Sequence, residues 1–194
     1  MIRSSFKGQL LVATPVLGDP NFERAVILLL EHTEEGAVGV VLNRPSGAHF
    51  VDPLPDWYGF AAYPPVVFVG GPVGQGSAIG LARARHPHPV PSGAEHPETE
   101  GWSQVVGSVG TVDLTLDPDD VPVGIEEVRV FSGYAGWSEG QIEDEIVSGA
   151  WFVIDAEQDD ALSTNPDGLW RSVLHRQSGK LALFANFPLD VTLN

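Results

Sequence analysis

The stretch "EEVRVFSGYAGWSEGQIEDEIVSGAWFVID", Glu126 to Asp155, decides how this chain folds. "EEVRVF" has the β-branched and aromatic content of a strand. Ile142 and Ile146 stand four apart among acidic residues, which gives one buried stripe on a helix running from Ser138 to Ser148 and closed by Gly149. "WFVID" is a second strand. The unit is strand, corner, helix, strand, about 30 residues long.

The corner also carries chemistry. Gly136-Trp137-Ser138-Glu139-Gly140 matches G-x-S-x-G, the nucleophile elbow of serine hydrolases, which places a serine at a sharp strand-to-helix turn. A triad then needs an acid and a histidine downstream. His175 is the sole downstream histidine, and no acid is marked out to orient it. A second reading covers more residues. Ser138 as helix cap and Gln141 three residues on form a capping box, Trp137 staples onto Ile142, and Glu139 suits the first turn. Glu143, Asp144 and Glu145 then face largely outward. The cap accounts for more of the stretch, so no catalytic residue is assigned; a serine hydrolase using Ser138 is the competing function.

Upstream, "GQLLVATP" reads as a strand ending at Pro15. Runs from Ala25 to Glu31 and from Val38 to Leu42, joined at Glu35-Gly36, read as a hairpin; a helix through Phe22 to His32 competes, because Val26, Leu29 and Leu30 also fit helical spacing. "VVFVGG" is a strand entering a Gly-Gly-Pro turn, and "SAIGLARAR" is a return strand. "SQVVGSVGTVDLTL" reads as two strands, and "DPDD" as an Asp cap with Pro at the first helical position. The segment from His86 to Gly101 reads as an exposed loop. A helical piece from Asp167 to His175 and the apolar tail "LALFANF" complete the chain. Strands with interspersed helices, without repeat or linker, indicate one α+β domain across residues 1–194.

Composition removes several functions. The 194 residues include 10 basic and 26 acidic side chains, a net charge of −16. From Glu95 to Asp167 there are 18 acidic residues and a single basic one, Arg129. Affinity for nucleic acid rests largely on Lys and Arg displacing counterions, so direct nucleic-acid binding is disfavoured, as is an anionic membrane surface. No cysteine is present, so neither disulfides nor thiolate metal sites arise. The apolar run Leu10 to Gly18 is short and broken by Pro15, unlike a signal peptide, and nothing approaches the ~20 apolar residues of a membrane span. A cytoplasmic chain is expected.

Other motifs fall short. In "GGPVGQGS", Ser77 stands where a phosphate loop needs Lys, and Ile79 where a dinucleotide fingerprint needs Gly. His86, His88 and His96 lie among prolines without the spacing of a metal site. Asp117, Asp119 and Asp120 lack the remaining ligands of a calcium loop. No cofactor or metal is expected.

Taken together, "LLVATPVLGDPNFERAVILLLEHTEEGAVGVVLNRP", Gly70-Gly71-Pro72 and "GYAGWSEGQIEDEI…W" resemble the YqgE/AlgH family of bacterial proteins, in family order from Gln9 to Trp151. The resemblance implies an α+β fold with a mixed, bifurcated sheet folded into a barrel-like core and helices packed outside. It implies no established activity. The transcriptional-regulator label carried by some members implies no recognisable DNA-binding module here, and the charge opposes it.

Polar and aromatic residues at turns and element ends form the candidate pocket: Asp19, Asn21, Arg24, Asn43, Arg44, Tyr134, Trp137, Gln141 and Glu145. Such residues line pockets, which suggests a non-enzymatic binding or regulatory domain for a protein or small ligand. The alternative is architectural: Asp19 and Asn43 hold turns, Arg24 and Arg44 pair with Glu143 or Glu145, and Trp137 fills the core.

Overall fold

In a computed structural model of the chain, residues 5–49, 54–86 and 98–187 are described. Strands β1 (Gln9–Ala13), β2 (Val26–Thr33) and β3 (Gly36–Val41) form an antiparallel meander, so the apolar run after Phe22 is a strand and not a helix. Both faces of this meander are covered. Leu10, Val12, Val26 and Leu28 point into one cluster, and Leu11, Ala13, Ile27 and Leu29 into another. Double burial explains why these strands read as continuous apolar runs without alternation. Full burial stabilises by about 1.5–3 kcal/mol per large aliphatic side chain.

Next come β4 (Pro45–His49), β5 (Val66–Val69), β6 (Val73–Ala84), β7 (Glu98–Thr99), β8 (Trp102–Val106) and β9 (Val109–Val112). A 3-10 turn spans Pro55–Phe60, and another, Pro118–Asp120, has the expected Asp cap: the Asp117 carboxylate accepts from the Asp119 N–H at 2.9 Å. Residues 87–97 of the expected histidine-proline loop lie outside the described residues, His88 and His96 among them. Its end forms β7, which pairs with β8.

The decisive strand is longer than its sequence suggests. β10 runs from Ile125 to Ser138, through the expected corner, before α1 (Gln141–Val147), β11 (Trp151–Asp155), α2 (Leu169–His175) and α3 (Lys180–Phe184). Its first part pairs antiparallel with β6, Phe131 and Ser132 pair parallel with β5, and Ala135 to Ser138 pair antiparallel with β3. Gly133 supplies the bulge at the switch, with φ +72°. Gly70 and Gly71 lie so close to the backbone at Gly133 and Tyr134 that a Cβ on either would overlap it. Gly70 and Gly71 of "VVFVGGPVGQGS" therefore serve a close crossing. β5 and β6 pair with β10, while residues Val73 to Ser77 already belong to β6.

The result is an α+β fold with a curled, half-barrel-like sheet, order β11-β1-β2-β3-β10-β6-β9-β8-β7, and helices packed outside. β10 and β11 are separated by three strands, so α1 crosses over β3, β2 and β1 between them. α1 covers one face of the meander through Ile142; α2 covers the other through Trp170, Val173 and Leu174.

The only basic residue between Glu95 and Asp167 is interior. Arg129, 1% exposed, donates to the carbonyls of Ser163 at 3.0 Å and Tyr63 at 2.6 Å, and lies 4.3 Å over the Phe68 ring. Burial pushes its pKa down to about 10, offset in part by the charge of Glu127; it stays cationic at neutral pH. It ties two loops to the sheet. Arg129→Ala leaves those carbonyls unpaired above a void and should lower the unfolding free energy by about 3 kcal/mol or more in urea denaturation.

Candidate functional site

The nine candidate residues separate into two groups. One group sits where β10 meets α1. Glu145 turns inward, against expectation: one carboxylate oxygen accepts from the indole N–H of Trp137 at 2.9 Å and of Trp151 at 2.8 Å, and the other from Gln141 at 2.9 Å. The two indoles meet edge to face at 6.3 Å. Glu143 also turns inward, to Nε2 of His32 at 3.0 Å. Nδ1 of that histidine accepts from the Phe6 N–H, so the ring's proton sits on Nε2, facing the carboxylate. These contacts fasten α1 to the sheet and are architectural.

Ser138 does not cap the helix. It is the last residue of β10, and the cap is Gly140, in the left-handed region with no side-chain bond. Half of the capping box survives: the Gln141 side-chain oxygen accepts from the N–H and hydroxyl of Ser138, each at 3.1 Å. Pairing of Trp137 with Ala37 and Ser138 with Gly36 holds the backbone extended and delays the helix. The Ser138 hydroxyl thus donates to an amide oxygen, which cannot act as its base. Tyr134 packs its ring against Gly74 and Gly136.

The other group lines two adjoining clefts. Arg24, in the link between β1 and β2, and Asn43 and Arg44, just after β3, form one wall of an open cleft of about 570 Å³; Asp167, Trp170 and Arg171 of the α2 segment form the other. Asn21 and Arg44 line a neighbouring cleft of about 280 Å³ with Val69, Pro72 and Gln75. Asp19 holds the rim by accepting from the backbone and side-chain nitrogens of Asn21, at 2.9 and 3.0 Å.

Asn43, 6% exposed, sets the geometry. Its amide donates to the Arg24 carbonyl at 2.9 Å and accepts from the Val26 N–H at 3.0 Å. Between those contacts Arg24 adopts φ +52°, the one positive φ outside glycine among the described residues. Such a conformation costs on the order of 1–3 kcal/mol and is held by its surroundings. It directs the guanidinium over Trp170 at 4.7 Å, where it donates to the Phe187 carbonyl at 2.8 Å. Trp170 is itself fixed by donating to the Ala13 carbonyl at 2.9 Å. Arg44 donates to the carbonyls of Glu23 and Asn43. The expected pairing of Arg24 and Arg44 with Glu143 or Glu145 gives way to these main-chain contacts. Burial lowers the pKa of both arginines; the charge of Arg171 lowers that of Arg24 further, and Glu23 raises both.

The sequence did not single out Arg171, Trp170, Asp167 or Glu23. Glu23 adjoins Arg24 in the family run, and was legible there. The α2 residues stand more than 120 positions away, and no local pattern links them to Arg24.

Two substitutions separate architecture from site. Glu145→Ala strands two indole N–H groups and should cost about 2–4 kcal/mol in urea unfolding. Ser138→Ala removes an exposed, non-capping hydroxyl and should change stability by less than about 0.5 kcal/mol.

A family model described as AlgH-like matches residues 10–182. A UPF0301 protein of Streptomyces coelicolor is 50% identical over 192 residues, covering 98% of this chain and 96% of that protein. One from Thermobifida fusca is 44% identical over 203 residues, covering 100% and 98%. Among solved structures, a crystal structure of a Corynebacterium diphtheriae protein superposes with TM-score 0.82 at 29% identity, covering 93% of this chain and 92% of that one. The solution structure of AlgH from Pseudomonas aeruginosa gives TM-score 0.65 at 28% identity, covering 97% and 98%. The chain belongs to the YqgE/AlgH family.

Proposed function

We propose that this chain is a non-enzymatic, cytoplasmic binding or regulatory domain whose site is the cleft at Arg24, Asn43 and Arg44, serving a protein or small ligand. The observation that carries this is the clamp at Arg24: a buried amide holds a left-handed arginine at the mouth of an open cleft. Backbone strain of that kind clusters at binding and switch sites. The cleft volume lies within the range of small-molecule sites. No helix among the described residues is long and apolar enough to cross a membrane.

Hydrolysis at Ser138 gains no support from its surroundings, since the hydroxyl faces Gln141. A fluorophosphonate probe should leave Ser138 unlabelled; labelling that disappears in Ser138→Ala would instead establish the hydrolase. Direct DNA binding runs against a net charge of −16.

The binding role is tested by amide chemical-shift mapping with a desalted bacterial metabolite extract and with purified cytoplasmic proteins. Shifts should concentrate at 21–26, 42–45 and 167–171. Their absence from these segments with both mixtures would remove the proposal.

A further inference from the structure

From the free border of β11 we infer a homodimer: two copies of this chain join β11 to β11, antiparallel, about a two-fold axis at Val153. This is independent of the cleft and its ligand.

The register of β1 and β11 fixes which groups are free. Gln9 lies opposite Asp155 and Ala13 opposite Trp151, and in the same register the Thr14 N–H donates to the Ala150 carbonyl at 3.0 Å. Hydrogen-bonded pairs alternate along an antiparallel ladder, so Phe152 and Ile154 turn their main-chain groups to β1. Trp151, Val153 and Asp155 turn theirs outward. β11 ends the order of strands, and among the described residues the N–H and C=O of Trp151 and Val153 meet no partner. The Asp155 carbonyl accepts from Arg176 at 3.3 Å.

Nothing blunts this border. Natural edges are kept apart by shortness, Pro, bulges or charge. At the opposite end of the order β7 has two residues, and β4 opens on Pro45 and pairs irregularly with β5. β11 is "WFVID", five residues in unbroken register with no Pro, no Gly and no charge before Asp155. Apolar surface continues to either side. Val147, 88% exposed, ends α1, which packs through Ile142 into the cluster of Trp151 and Val153. Leu183, 70% exposed, precedes Phe184, whose ring lies 5.1 Å from that of Phe152 on the other face. Both extend a short ladder toward the roughly 1,200 Å² of a stable interface.

A second copy fits this border better than a foreign strand. The outward groups are centred on Val153, so a two-fold makes them self-complementary. Val153 exchanges N–H and C=O with Val153 of the second copy, and Trp151 lies opposite its Asp155. Phe152 then faces Ile154 across the seam, an aromatic and β-branched pair. Each Asp155 meets a tryptophan and no acid, so the ladder sets no like charges side by side. A basic foreign strand would find one acid on β11, at its end. Two chains of −16 still repel at a distance, and salt screens that repulsion.

The test is sedimentation velocity on the full chain from micromolar to submillimolar concentration, at low and raised salt, with amide hydrogen exchange at both ends of the range. A dimer should form and should tighten as salt rises. It should protect the Trp151 and Val153 amides only when concentrated, and the Phe152 and Ile154 amides should be protected throughout. Val153→Pro removes an outward N–H, keeps the ladder to β1, and should weaken the dimer about tenfold or more. Val147→Asp and Leu183→Asp, at exposed positions, should each weaken it; Val16→Asp, 82% exposed in the link between β1 and β2, should not. Thermal unfolding verifies that each variant folds, and if Val153→Pro does not, the two aspartate variants decide.

A chain that stays monomeric throughout would overturn the assignment. So would a dimer that leaves the Trp151 and Val153 amides unprotected, or one indifferent to the three variants. Protection of those amides only on adding purified cytoplasmic proteins would give the border to a foreign strand and overturn it as well.

Discussion

A β-strand has two edges, and β10 serves three partners. β6 takes one edge along most of its length. The other edge belongs first to β5, at Phe131 and Ser132, and then to β3, from Ala135 onward. The handover is possible only if β5 departs where β3 arrives. Gly70 makes it: its N–H donates to the Ser132 carbonyl, and its own carbonyl accepts from the Val41 N–H. One residue thus closes the backbone bonds of both neighbours at the fork, in a space that admits no Cβ. The split of the sheet, its curl and the separation of its apolar clusters all follow from this junction.

The clefts are a by-product of the same junction. As β3 ends beside the departing β5, the Val69 N–H bonds the Arg44 carbonyl, and Leu42 bonds Val26. Asn43, between them, is left with its amide turned toward the link preceding β2, where it fixes Arg24. The route from "VVFVGG" and "VVLNRP" to the clamped arginine is a chain of hydrogen bonds. Sequence, sheet register and side-chain direction are linked without a gap.

Much of this was legible beforehand. "LLVA" and "VILLL" read as strands and are strands, and the acidic helix with its two isoleucines forms, starting at Gln141 and not at Ser138. Gly149 closes that helix at φ +82°, as its position suggests. What local pattern could not resolve was the competition at Ser138 between capping and pairing. A cap is worth about 1 kcal/mol, and the ladder to β3 outweighs it. Glu145 was misplaced for a related reason. An acidic residue near a helix start normally faces water, but two buried indoles needed an acceptor within reach. Of the candidate site, Arg24, Asn43 and Arg44 stood out because they sit in one short run. Arg171 was not, because only the packing of Trp170 on the meander brings it near.

The burial of Arg129 bears on the exterior as well. With that guanidinium inside, no cationic side chain from Glu98 to Asp167 faces solvent, so that part of the chain meets the solution with acids alone. At physiological ionic strength the screening length is about 8 Å. A long polyanion spans many of those charges at once. A small ion is comparable in size to the screening length and meets only the side chains within that reach. The distribution of charge thereby discriminates by the reach of the approaching molecule, before any atom of it makes contact.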